Sequence, residues 1–181
     1  MVAFNDMWRG HPINESVQYP CIAPRDLTNM EGTRVRAGVP VFHNQCSIRL
    51  GVALKRAGVK PISGLVTCGV HSPSEMHYVR ATDRAQALTR GSIPGVQRVE
   101  RSVGRDLTRD VFPKLYGRTG LIYLQDYWQR SVDRPGNPTG DHIDVWNGYR
   151  SSAKWLMEWF SWLGYYSNYA GAKEVWFWPV R

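Results

Sequence analysis

The sequence predicts an α+β fold, on three observations. Residues 46–57 carry apolar side chains at helical spacing, between a capping asparagine, Asn44, and a terminating glycine, Gly58. Leu121–Tyr127, His142–Trp146 and Val175–Trp178 alternate or run as strands and all fall late in the chain. With 17 Gly and 11 Pro, the remainder reads as turns and long loops. A helix early and strands late describe segregated α+β architecture. At 181 residues the chain fits one domain, 1–181, with enough length to bury a core unaided.

Taken in order, Ala3–Arg9 reads as a short helix stopped by Pro12. Ile13–Val41 has no sustained period and contains Pro20, Pro24, Gly32, Gly38 and Pro40, so it is expected to be loop. The helix that follows opens on Cys46 and continues through Ile48, Leu50, Val52, Ala53, Leu54 and Ala57. Met76–Arg80 reads as a short strand. Thr82 or Asp83 is expected to cap a second helix, which runs to Arg90 and ends at Gly91. Gly117–Gly120 is a turn, and Arg130–Asp141, with two Pro and two Gly, is a loop. After the strand at His142–Trp146 comes the turn Asn147-Gly148. Ser151–Gly164 reads as an aromatic-rich helix, and most of the run Trp155–Tyr169 reads as core packing.

The formal net charge is +8 and the sequence pI about 9.7. That balance favours an anionic partner, such as nucleic acid, anionic lipid or cell-wall polymer. Lys and Arg form no run and no nucleic-acid motif appears, which argues against nucleic acid. No stretch approaches the ~20 apolar residues of a membrane helix, so no membrane insertion is expected. Met1–Pro12 lacks the apolar segment of a signal peptide, and synthesis in the cytoplasm is expected. The three cysteines, Cys21, Cys46 and Cys68, make no disulfide framework. No pair of Cys or His shows zinc-ligand spacing, so neither metal nor cofactor is expected. Whether Cys21 and Cys68 pair in an oxidising compartment stays open.

Cys46 lies in the first turn of the best-defined helix. Free backbone N–H groups and the positive end of the helix dipole there both favour a thiolate. A nucleophilic thiol needs an imidazole, and His142 begins a strand that would pack on this helix. On that strand His142, Asp144 and Trp146 share one face, while Ile143 and Val145 point the other way. A polar-aromatic face suits the wall of a cleft better than a plain core strand. Taken singly, these residues have plainer readings: a buried apolar Cys, a surface His, a solvated Asp.

The stretch Asn44-Gln45-Cys46-Ser47-Ile48-Arg49-Leu50 and the stretch Gly140-Asp141-His142-Ile143-Asp144-Val145-Trp146-Asn147-Gly148 together resemble the signature pair of the type VI secretion amidase effectors, family four. The resemblance extends to Phe4-Asn5-Asp6-Met7-Trp8, to Gly117–Tyr123 and to Trp176-Phe177-Trp178-Pro179. It implies a papain-like, NlpC-type cysteine peptidase fold, with the nucleophile at the start of a helix packed on an antiparallel sheet. The implied activity is a peptidoglycan amidase that cuts stem peptides between γ-linked D-glutamate and meso-diaminopimelate. Cys46 then matches the nucleophile and His142 the base. The resemblance also implies an acidic third member, in some relatives just after the Trp-Asn-Gly turn. Tyr149–Lys154 holds no carboxylate here, so Asp144 is taken as that residue, with Ser152 as the alternative. The Cys46 N–H, helped by Asn44 or Gln45, is expected to receive the oxyanion, and Trp146 to line the cleft.

Implied partners are the peptidoglycan stem peptide, a cognate immunity protein and the type VI secretion apparatus. Export without a signal peptide would deliver the chain to the periplasm of a target cell. Three other readings stand beside this one: a papain-like protease or transglutaminase acting on proteins, a basic nucleic-acid-binding module, and a non-catalytic cell-wall-binding domain in which Cys46 is structural.

Overall fold

The structure is a computed structural model that describes residues 1–91, 93–104, 107–130, 132–152 and 171–181. Helices come first: α1 (Phe4–Arg9), α2 (Cys46–Arg56) and α3 (Ala81–Arg90), with a short hairpin of β1 (Leu27–Thr28) and β2 (Arg34–Val35) between the first two. Then follow β3 (Glu100–Ser102), two single-turn helices α4 (Leu107–Asp110) and α5 (Phe112–Leu115), β4 (Gly120–Trp128), β5 (Gly140–Trp146) and β6 (Glu174–Pro179). The larger sheet has the order β3-β6-β4-β5 and every pair in it is antiparallel. The chain is therefore a mixed assembly of helices and antiparallel sheet, with helices early and the main strands late.

Central strand β4 is paired on both sides, and its run Leu121-Ile122-Tyr123-Leu124 is buried on both faces. Alternation along the strands sorts the side chains into two cores. Leu121, Tyr123, Ile143, Val145, Trp176 and Trp178 pack under Phe4, Met7, Leu50, Leu54 and Leu88 of helices α1, α2 and α3. Ile122, Leu124, Trp146, Val175 and Phe177 pack under Leu107, Val111, Phe112 and Leu115 on the opposite face. Each fully buried leucine in such a core contributes roughly 2 kcal/mol.

Helix α2 forms where its periodicity predicts. Ile48, Leu50, Val52, Ala53 and Leu54 are buried, Lys55 and Arg56 complement the dipole at its last turn, and Gly58 follows at φ +81°. It packs against β5, one of the two edge strands of the sheet among the described residues. This packing sets the first turn of α2 beside the middle of β5.

Several expectations require correction. The 13–41 segment contains the β1–β2 hairpin, too short to show a period. Met76–Arg80 is not a strand: Met76 adopts φ +58° and Tyr78 forms a single bridge to Thr67. Helix α3 begins at Ala81, with Arg80 at the N-cap and no side-chain cap, because Thr82 turns its hydroxyl to Asp141 instead. The expected aromatic helix beyond Ser152, and the run Trp155–Tyr169, lie outside the described residues. No helix of the described residues is long and apolar enough to cross a membrane.

Candidate active site

The first turn of α2 and the middle of β5 bring Cys46, His142 and Asp144 together. Cys46 is 7% exposed, His142 2% and Asp144 1%, so the group is nearly dry. The Cys46 sulfur is hydrogen-bonded to the His142 ring and to the backbone of Ile143. His142 Nε2 lies 3.4 Å from Asp144 Oδ2, which leaves Nδ1 as the ring nitrogen for the sulfur. Tyr127 closes on the imidazole edge-to-face, with centroids 5.9 Å apart at 70°.

Asp144 is anchored from its other oxygen. Oδ1 accepts from the Ser152 hydroxyl at 2.5 Å and from the Val145 N–H at 2.7 Å, and lies 3.2 Å from His11 Nε2. The two candidates for third member thus occupy successive positions: Asp144 faces the imidazole and Ser152 supports Asp144. His11 was not singled out from the sequence. Its place depends on the chain path after α1, and a lone histidine near a terminus carries no local signal of it.

The electrostatics favour an ion pair. Burial opposes a charge on Cys46, yet the hydrogen bond and charge of His142, the Ile143 backbone and the charge of Arg49 hold its pKa below the ordinary thiol value. Burial likewise disfavours an imidazolium, but hydrogen bonds to Asp144 and Cys46, with their charges, push His142 up to about 9. Asp144 is held well below the usual carboxylate range: burial works against it, and His11 and then His142 overcome that. Such a buried thiolate–imidazolium pair, oriented by a carboxylate, is a competent nucleophile and proton donor for acyl transfer.

The residues expected around the nucleophile divide. Asn44 is exposed, and its Oδ1 accepts the Cys46 N–H at 3.1 Å. Gln45 is not available for substrate: its Nε2 donates to the carbonyls of Cys21 (2.8 Å) and Phe42 (3.2 Å), and its Oε1 accepts the Cys21 N–H at 2.9 Å. A buried amide satisfied in this way braces the preceding loop. Trp146 does not line a cleft. It is 0% exposed, stacks on Phe112 at 5.8 Å and donates Nε1–H to the Leu115 carbonyl at 3.1 Å. The polar face of β5 turns apolar at this end because α5 covers it. Beside the start of α2 opens a groove of about 570 Å³, bordered by Tyr19, Arg34, Arg36, Val39 and His43.

A model of the family described as type VI secretion system amidase effector protein 4 (Tae4) matches residues 42–178, a span holding Cys46, His142 and Asp144. The chain belongs to this family. As a Tae4-family protein it is a secreted antibacterial effector and an amidase of peptidoglycan. The structure is similar to the Tae4/Tai4 effector–immunity system from Salmonella typhimurium, with a TM-score of 0.60 and 14% identity over 100% of this chain and 99% of that one. It is also similar to the Tae4–Tai4 complex from Enterobacter cloacae, with a TM-score of 0.57 and 17% identity over 100% and 99% of the two chains. At these identities the likeness is one of fold. No curated protein matches the chain.

A second cluster of reactive groups lies apart from Cys46, His142 and Asp144. Cys21, Cys68, His71 and His77 each offer a ligand atom, and these atoms all lie within 4.8 Å of one another. The expectation that no pair of Cys or His shows zinc-ligand spacing is corrected here: His71 and His77 stand at the H-x5-H spacing of zinc sites, and only the approach of the remote Cys21 has no local mark.

Proposed function

We propose that this Tae4-family chain is a papain-like, NlpC-type cysteine amidase, a single catalytic domain over 1–181, that hydrolyses the γ-D-glutamyl–meso-diaminopimelate bond of peptidoglycan stem peptides. The observation that carries the reading is the buried chain of contacts from Cys46 to His142 to Asp144, with the sulfur on the first turn of α2. The Cys46 thiolate attacks the γ-glutamyl carbonyl carbon. The C–O π electrons move to oxygen, and the tetrahedral oxyanion forms. As the carbonyl returns, the C–N bond breaks and the His142 imidazolium gives its proton to the departing diaminopimelate amine. His142, now neutral, takes a proton from water, and the hydroxide releases the thioester. Asp144 holds the ring with Nε2 protonated throughout.

The oxyanion takes the Cys46 N–H from Asn44, whose side chain is exposed and free to turn its own amide N–H toward the same oxygen. Stem peptides carry several carboxylates, and Arg34 and Arg36 in the groove beside α2 offer guanidinium groups for them. Delivery by the type VI apparatus places this reaction in the periplasm of the target cell. The producing cell then needs a cognate immunity protein, as in the Tae4–Tai4 complexes, and an acidic one would be captured fastest by a +8 chain.

The experiment is digestion of purified Gram-negative peptidoglycan, with products read by mass spectrometry. Wild type is expected to release fragments cut between D-glutamate and diaminopimelate, and Cys46→Ala none. A folded wild type that releases nothing would leave a basic, non-catalytic wall-binding module as the better reading.

A further inference from the structure

We propose that Cys21, Cys68, His71 and His77 bind one zinc ion, which ties the 13–41 loop to the segment preceding α3. A tetrahedral ion with Zn–S of about 2.3 Å and Zn–N of about 2.0–2.1 Å sets sulfur and nitrogen ligands about 3.5 Å apart. His71 Nδ1 lies 3.6 Å from the Cys21 sulfur and 3.4 Å from the Cys68 sulfur. The His77 ring stands 4.2 Å from that of His71, tilted 40°, and one nitrogen of each imidazole and the two sulfurs all lie within 4.8 Å of one another. Cys21 is 0% exposed, Cys68 3% and His77 5%. Two thiolates and two imidazoles, with His71 half-buried and the other three buried, suit a structural zinc and fill its four positions.

Local backbone is shaped for this role. Gly69, at φ +71°, turns the chain so that the His71 N–H donates to the Cys68 sulfur at 3.4 Å. Backbone N–H groups aimed at sulfur stabilise a thiolate and orient it, as the outer shell of a metal site does. The Cys68 N–H donates to the His77 carbonyl at 2.9 Å, which closes the Cys68–His77 segment into a loop with its ligands inward.

The ion would also steady the nucleophile. Gln45 grips Cys21 by both its N–H and its carbonyl, and Gln45 immediately precedes Cys46. The cluster therefore braces, through one residue, the turn that presents the thiolate. Zinc takes no part in the chemistry in this arrangement.

The test is elemental analysis of the full chain purified from zinc-supplemented cells, together with the absorption spectrum of cobalt exchanged into it. About one zinc per chain is expected, and cobalt should give the intense visible bands and thiolate charge-transfer band of a tetrahedral two-thiolate site. Cys46→Ala should leave both signals unchanged, whereas Cys68→Ser and His71→Ala should lose them. Should Cys68→Ser unfold, the wild-type stoichiometry and spectrum decide the matter without it. A folded wild type lacking stoichiometric metal, a Cys21–Cys68 disulfide in the mass of the intact chain, or a cobalt spectrum abolished by Cys46→Ala would each overturn the proposal. None of these readouts depends on amidase activity, so the two readings fail separately.

Discussion

Replacing Asp144 with Asn keeps the shape of the site and removes one charge. Asn Oδ1 can still accept from Ser152 and from the Val145 N–H, so the fold is expected to survive. Its amide N–H, however, would face His142 Nε2 at the 3.4 Å contact and force that nitrogen to accept. The ring proton then moves to Nδ1, toward the sulfur, where a base must be unprotonated. The magnitude follows from the imidazole. Raising His142 from 6.5 to about 9 corresponds to roughly 3 kcal/mol in favour of the imidazolium, net of burial. Asp144 supplies a leading share, so its loss should cost about 2–3 kcal/mol, or on the order of 10²-fold in kcat/KM.

The pH profile gives a second, independent readout. Wild-type activity should fall on the alkaline side as pH rises through about 9, where His142 loses its proton. In Asp144→Asn that limb should move down, and the acid limb should move up because a weaker imidazolium holds the thiolate less well. Stability has the matching sign. The His142 contribution is complete below 6.5 and is lost as pH rises through about 9. The Asp144 contribution is present above 3.8 and is lost as pH falls through its lowered value, so the stability gap between variant and wild type should close in acid. Rates and limbs equal to wild type within about threefold, against the 10² expected from the charge, would refute the oriented ion pair.

Three further predictions concern the surroundings. Gln45→Ala strips the Cys21 N–H and two carbonyls of their buried partner, and should lower stability by about 3 kcal/mol in chemical denaturation, with Gln45→Glu failing to restore it because no donor remains. His11→Ala removes a donor from the buried Asp144 and should cost about 1–3 kcal/mol of stability and lower kcat without raising KM, read from denaturation curves and steady-state kinetics. Trp146→Phe should lower the melting temperature through a lost hydrogen bond to Leu115 and a small void, about 1–3 kcal/mol, and leave KM for stem peptides unchanged. A shift in KM with intact stability would put Trp146 back at the substrate.

Much of the fold could be read from local pattern. The α2 helix, the strands β4, β5 and β6, and the short α1 each satisfy a periodicity that their own residues define. The short hairpin β1–β2 and the three residues of β3 could not be read this way, because pairs that brief have no period and exist only through their partners. Met76–Arg80 reads as a strand by composition, yet its backbone turns left-handed at Met76.

By itself, the sequence determined that Cys46 stands at a helix start, that His142 and Asp144 share a strand face, and that the chain is basic. Those properties are local: they follow from helical periodicity, from alternation and from counting. Only the tertiary structure decided who meets whom. Packing of α2 on β5 joined Cys46 to His142 and brought Asp144 under His11 and Ser152. The α5 cover turned Trp146 from an expected cleft residue into core, and the loop path turned Gln45 from an expected oxyanion donor into a brace. It also gathered the remote Cys21 with Cys68, His71 and His77. The physical reason is the same in each case. A side chain's chemistry is set by burial and by partners far along the chain, and loop closure leaves no periodic mark in the segments it joins.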